Sequence, residues 1–228
     1  MLPLSAKQKR LFGAWARPSQ FMRNEPRMIY LVSASSIVQD VVGDCSFVSS
    51  LCISAAYERR FKKQLITNII FPQDRSGMPV YNPCGKYMVK LFFNGIQRKV
   101  IVDDLLPVDR HGRLLCACST NRSELWVSII EKAYMKVNGG YDFPGSNSGI
   151  DLYALTGWIP EHVRTKDDDF NKQRTWERMV NGLRYGDCLI TISTGPLSDA
   201  EEERWGLVTS HAYAVLDVQE VLGQRLLM

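Results

Sequence analysis

Gln39-Asp40-Val41-Val42-Gly43-Asp44-Cys45-Ser46-Phe47 is the stretch whose reading decides the fold. A Gly-Asp turn hands over to a cysteine, and the cysteine opens an apolar run. Val48, Leu51, Cys52, Ala55 and Ala56 recur there at helical spacing, predicting a helix over Cys45–Lys63. A thiol at a helix N-terminus feels the positive end of the helix dipole, which favours the thiolate. Gln39, six residues upstream, carries an amide that can donate to the oxyanion formed when a thiolate attacks a carbonyl. Far downstream, Ser210-His211-Ala212-Tyr213-Ala214-Val215 sets a histidine in an alternating strand pattern. Cysteine, histidine and oxyanion donor are three of the four parts of thiol-based nucleophilic catalysis. The fourth is a side chain that orients the imidazole, and residues 212–228 contain no asparagine to serve.

Composition bounds the rest. The chain has 228 residues, 45% of them apolar, enough for one large domain or two small lobes with a real core. Its 28 basic and 24 acidic residues leave a net charge of +4, too balanced to argue for nucleic acid or a membrane surface. Neither a secretory leader nor a bilayer-length apolar run is evident, so the expected compartment is the cytoplasm, with the nucleus second. Six cysteines at irregular spacing do not read as a disulfide framework. Cys116-x-Cys118 beside His111 lacks the second ligand pair of a structural zinc site, so two small strand or loop residues are expected there.

Along the chain, Ala6–Trp15 predicts a short helix and Met28–Val32 a short buried strand. Tyr87–Phe93 and Ile96–Val102 flank Asn94-Gly95, the strongest short hairpin signal. Asn121-Arg-Ser-Glu124 has the spacing of a capping box before a helix over Leu125–Val137, which Gly139-Gly140 ends. Tyr141–Ser148 is the expected boundary between lobes. Beyond it come a helix over Phe170–Tyr185, a strand over Cys188–Thr194, an acidic loop at Asp199–Glu203 and a strand over Val208–Val218. A turn at Gln219–Gly223 leads to a strand that is cut short at Met228. The arrangement predicted is α+β, a helical first lobe and an antiparallel β-rich second lobe that is incomplete.

Cys45 alone, or His211 alone, would more often be a core residue. Together with Gln39 they make a site, because His211 follows Cys45 by 166 residues (211 minus 45), close to the interval of papain-like enzymes. His111 sits in an Arg110-His-Gly112 turn and His162 follows Pro160-Glu161, poorer positions for a base. The alternatives are a catalytically silent protease-fold scaffold or binding module, and a transglutaminase-type acyl transferase built on the same Cys/His chemistry.

Several motifs, taken in order, are similar to the protease core of the calpain family. They are Gln39…Gly43-Asp44-Cys45, Glu124-Leu-Trp126…Glu131-Lys-Ala-Tyr134…Asn138-Gly139, Leu155-Thr-Gly157 and His211-Ala-Tyr213. Asn82-Pro-Cys-Gly-Lys-Tyr87 and Gly140-Tyr-Asp-Phe-Pro-Gly-Ser146 resemble its PalB-like branch. The resemblance implies a papain-like, two-lobed cysteine endopeptidase core making limited cuts in intracellular proteins. It implies a lead-in at 1–27, a first subdomain at 28–146 carrying Gln39 and Cys45, and a truncated second subdomain at 147–228 carrying His211. Cys45 would be the nucleophile, His211 the general base and acid, and Gln39 with the Cys45 backbone N–H the oxyanion hole. Gly145 would let a substrate backbone approach. The partners implied are protein or peptide substrates. Contacts with ESCRT-III tails follow only if a parent protein carries MIT modules. No metal or cofactor is expected. Calcium would meet Ser36 where conventional members carry an acidic ligand, and Glu124 is a single carboxylate against the six to eight oxygens calcium takes. Three departures stand out: Ser46-Phe47 follows Cys45 where an aromatic usually follows directly, Ser36 replaces an acid, and the asparagine after the histidine is missing. The last predicts a chain impaired in turnover, since a misoriented imidazole costs about 10⁴ in kcat in the serine-protease analogue.

Overall fold

The computed structural model describes residues 1–228. Strand pairing begins almost at once. Helix α1 (Ala6–Leu11) is opened by a full capping box in which the Ser5 and Gln8 side chains bond each other's backbone. The chain then straightens into β1 (Phe12–Ala16) instead of continuing as helix, because its partner lies ninety residues on. After the short α2 (Pro18–Phe21) the expected strand at Met28–Val32 is absent. Only a single parallel bridge, Arg27 to Glu124, is made there, and Met28 is buried in the core. Strand β2 (Ile37–Val38) leads into the decisive stretch.

Helix α3 runs Cys45–Phe61 and stops where Lys62 takes a left-handed φ of 56°. Glu58, near its end, accepts hydrogen bonds from the backbone N–H groups of Leu65, Ile66 and Thr67 and from the Thr67 hydroxyl. That carboxylate turns the chain back towards β3 (Ile70–Phe71). The hairpin forms as read: β4 (Lys86–Phe93) pairs antiparallel with β5 (Ile96–Asp103), and Asn94 and Gly95 both adopt positive φ at the turn. Strand β6 (Leu106–Asp109) pairs with β1, and β7 (Cys118–Ser119) with β2.

Helix α4 runs Trp126–Val137 without the predicted capping box. Glu124 is drawn away by other donors, and Asn121 caps only its own loop through Ser123 N. Helix α5 (Ser148–Thr156) packs on α3 and β4. Together these elements enclose one cluster of 29 buried hydrophobic residues running from Leu4 to Leu155. Leu51, Leu91, Trp126 and Ile130 are fully inaccessible, and each such leucine or isoleucine contributes about 1.5–3 kcal/mol by leaving water.

After Leu155 the packing changes. Helix α6 runs Lys172–Tyr185, capped by Asn171, but of its expected inward residues only Leu183 is buried. Strand β8 is reduced to Thr191–Ser193. The acidic segment expected as a loop is a helix, α7 (Asp199–Trp205). Ser198 and Glu201 form its capping box, and Asp199, Glu201 and Glu202 complement the dipole in its first turn. The strand expected over Val208–Val218 shrinks to β9 (Ala212–Ala214), paired only with β8. Strands β10 (Val218–Val221) and β11 (Gln224–Leu227) close a hairpin across Leu222-Gly223. The fold is α+β, and every pairing between strands is antiparallel. No helix is long and apolar enough to cross a membrane.

Candidate active site

The site is built on the first turn of α3. Asp44 is its N-cap residue by backbone geometry, yet its side chain caps nothing. Helix geometry leaves the first-turn N–H groups without intrahelical partners, so those of Cys45 and its neighbours stay available to an anion. Cys45 itself is half-buried and makes no disulfide. Three of the five other thiols are poorly suited: burial pushes Cys52 and Cys118 up to about 11, and the wholly buried Cys116 well above its ordinary range.

Gln39 lies beside this turn. Its amide nitrogen donates to Val42 O at 2.9 Å and, more loosely, to Asp44 Oδ1 at 3.3 Å. Gly145 also belongs here. It holds a φ of 99°, a region open to glycine, and a Cβ at that position would sit 3.7 Å from the carbonyl oxygen of Gly43. The Phe143–Gly145 segment therefore runs alongside the Gly43–Cys45 turn. Beneath the cysteine, Phe47 is fully buried and stacks on Tyr134 with ring centroids 4.1 Å apart. Phe143 meets the same tyrosine edge-on. The aromatic two places after the cysteine thus packs into the core between α3 and α4.

His211 comes from the other part of the chain. It immediately precedes β9, which packs on α3. Thr194 fixes its backbone: His211 N donates to Thr194 Oγ1 at 3.0 Å, and Thr194 N donates to His211 O at 3.0 Å. Its half-buried ring meets Tyr213 edge-on at 4.9 Å. No hydrogen bond reaches either ring nitrogen, and none links the ring to Cys45. Gln39, Cys45 and Gly145 therefore converge around one turn, while His211 reaches the same helix through its strand without closing on the thiol. Of the other histidines, His162 lies over Gly149 at the start of α5. His111 stays in the Asp109–Arg113 turn, its N–H bonded to Asp109.

Glu124 has a different surrounding from a cation ligand. One oxygen accepts from Tyr30 N at 2.6 Å and Leu31 N at 2.7 Å. The other accepts from Ser119 Oγ at 2.7 Å and Trp126 Nε1 at 3.4 Å. The hydroxyl of Ser36 donates to Ser33 O. Nowhere do three His, Cys, Asp or Glu side chains gather as metal ligands would.

Sequence reasoning missed the polar layer under the site. Asp44, Glu131 and Asp151 are fully buried carboxyls. The Tyr134 hydroxyl donates to Asp151, and Ala117 N donates to Glu131 Oε1 at 2.9 Å. Burial raises the Asp151 carboxyl above the usual carboxylate range. The available signal was Glu131 itself, an acid one residue after Ile129-Ile130 on the apolar face of a helix.

A model of the calpain family cysteine proteases matches residues 3–227. The chain belongs to the calpain family. It is 62% identical over 226 residues to calpain-7 of Mus musculus and of Homo sapiens, an alignment covering 98% of this chain and 28% of each relative. It is 41% identical over 236 residues to the calpain-like protease palB/RIM13 of Aspergillus oryzae, covering 100% of this chain and 27% of that protein. The chain therefore falls in the calpain-7 and PalB-like branch of the calpains and spans a little over a quarter of the length of these relatives. Its expected class, a cysteine protease of the calpain type, is the class of its family.

Proposed function

We propose that this chain is the catalytic region of a cysteine endopeptidase making limited cuts in proteins, with Cys45 as nucleophile. The observation that carries the reading is the meeting of Gln39, the uncapped first turn at Cys45 and Gly145 around one short stretch of backbone. The Cys45 thiolate adds to the scissile carbonyl carbon. The oxyanion takes hydrogen bonds from the Cys45 N–H and from the Gln39 amide, which gives up its looser 3.3 Å bond to Asp44. His211, protonated by the thiol, passes that proton to the leaving amine as the C–N bond breaks. It then removes a proton from the water that hydrolyses the thioester. Gly145, with no side chain beside Gly43, lets an extended peptide approach.

Calcium has no part at Glu124 in this reading. Both carboxylate oxygens are already taken by four protein donors, and calcium takes six to eight oxygens. The residues present do not fit the ion.

A second reading, a silent protease-fold module, is favoured by the His211 ring, whose nitrogens have no orienting partner. A thiol-directed peptide epoxide separates the two. The enzyme reading expects labelling that is lost in Cys45→Ala and strongly reduced in His211→Ala. Wild-type protein that takes up no label, or labels equally after Cys45→Ala, belongs to the silent module.

A further inference from the structure

Two carboxyls meet in the core directly behind the Cys45 turn. Asp44, from the loop, and Glu131, from α4, are both wholly inaccessible, and each carboxyl lies near enough to the other to act on its charge. Glu131 Oε1 accepts from Ala117 N at 2.9 Å, and Asp44 Oδ1 accepts from Gln39 Nε2 at 3.3 Å. The remaining oxygens, Asp44 Oδ2 and Glu131 Oε2, are buried without any protein donor. Buried acceptors in that state are rare, because leaving them unmatched costs their full desolvation.

No cation resolves the problem. The groups facing the pair are Gln39 and Asp40 from the same loop, Asp151 from α5, Cys116 from the segment before β7, and Tyr141 after α4. These are acids, a thiol, a phenol and an amide. Lys132, next in sequence to Glu131, is turned to Asp103 instead. Two adjacent carboxylates in such a place cannot both be ionised. One proton between them gives each orphaned oxygen a partner.

We propose that Asp44 and Glu131 share one buried proton, and that this bridge is the positioning device of the Cys45 site. The bridge ties the N-terminus of α3 to α4. It also explains why Asp44, a residue type that commonly caps helices, does not cap α3. Turned into the core, it leaves the first-turn N–H groups to an incoming anion. It keeps a full negative charge off the dipole end that favours the Cys45 thiolate. It also offers Gln39 only a long, easily released acceptor. Burial, the largest cause, pushes the Asp44 carboxyl up to about 7 and Glu131 well above its ordinary range, in keeping with a pair that holds a proton. The catalytic consequence rests on the Cys45 reading above; the shared proton does not.

The test is infrared spectroscopy of the purified protein together with the pH profile of Cys45 alkylation by iodoacetamide. At neutral pH the wild type is expected to show the C=O stretch of a protonated, hydrogen-bonded carboxyl. Glu131→Gln, which keeps a donor towards Asp44, should abolish that band, and Asp151→Asn should leave it. In Glu131→Gln an ionised Asp44 should slow alkylation of Cys45 at neutral pH by about tenfold, as expected if a nearby charge raises the thiol pKa by about one. No protonated carboxyl in the wild type at neutral pH overturns the proposal without any variant, as does a band that survives Glu131→Gln. A band that behaves as expected beside an unchanged alkylation profile overturns the positioning role alone. Loss of peptidase activity with both readouts intact would count against the endopeptidase reading instead.

Discussion

The chain is packed unevenly, and the unevenness divides its proposed catalytic residues. From Leu4 to Leu155 a single cluster of 29 buried hydrophobic residues holds four helices and seven strands around α3. Beyond Leu155 only Leu183, Ala212 and Val215 are buried hydrophobics, and Ile159, Leu222 and Met228 stand open to solvent. Gln39, Cys45 and Gly145 lie half-buried along the packed part. His211 belongs to the loose part, just ahead of a three-residue strand with one partner. The packed half carries the proposed nucleophile and oxyanion donors. The half proposed to supply the base is fixed by little more than Thr194 and the contact of β9 with α3.

That contrast can be broken or sharpened by experiment. The largest effect is expected at the thiol: Cys45→Ala should abolish cleavage of a peptide substrate, a loss on the order of 10⁴ or more. Residual turnover above a percent in that variant would move the nucleophile elsewhere. Next is the core. Trp126→Ala should lower stability by about 3–5 kcal/mol in denaturant unfolding, whereas Trp205→Ala, half-exposed on α7, should cost under about 1 kcal/mol. Equal losses would mean that the segment after Leu155 is as tightly packed as the core.

Glu124→Gln removes the charge that holds Tyr30 N and Leu31 N, and should cost roughly 1.5–3 kcal/mol. Added calcium should leave the melting temperature of the wild type where it is. A clear calcium-dependent rise that Glu124→Gln removes would restore a cation to that position.

The pH dependence of the core comes from its raised buried acids, Asp44, Glu131 and Asp151. The Asp44 carboxyl is raised from 3.8 to about 7, chiefly by burial. A raised acid contributes fully below its unfolded value, and the contribution is lost as pH climbs through the folded one. Stability should therefore fall between about pH 4 and pH 7, by an amount of roughly a few kcal/mol. Asp44→Asn should reduce that slope in thermal melts compared at about pH 5 and about pH 8. The smallest effect is expected in native-state hydrogen exchange, where amides of β8 and β9 should open ahead of those of α3 and β4.

Much of the packed half was legible beforehand. The start of α3 follows from a Gly-Asp turn before an apolar run, and the β4–β5 hairpin follows from Asn94-Gly95, because both signals are local. Signals that depended on partners failed. Asn121 and Glu124 have capping-box spacing, yet two backbone N–H groups ninety-odd residues away claim the carboxylate. Ala6–Trp15 reads as one helix, but Leu106–Asp109 draws Phe12–Ala16 into a ladder. The acids of Asp199–Glu203 read as a loop, although with Ser198 as cap they suit a helix's first turn.

The sequence by itself determined the family, the thiol at the helix start, the amide upstream of it and the histidine in a late strand. These follow from residue types at fixed spacing along one chain. Only the tertiary structure decided what each of them touches. It set Gly145 against Gly43, spent Glu124 on the Tyr30–Leu31 backbone, and buried both Asp44 and Glu131. It also left the His211 ring without a partner on either nitrogen. Burial and hydrogen-bond partnership are properties of neighbours that are distant in sequence, so no local pattern encodes them.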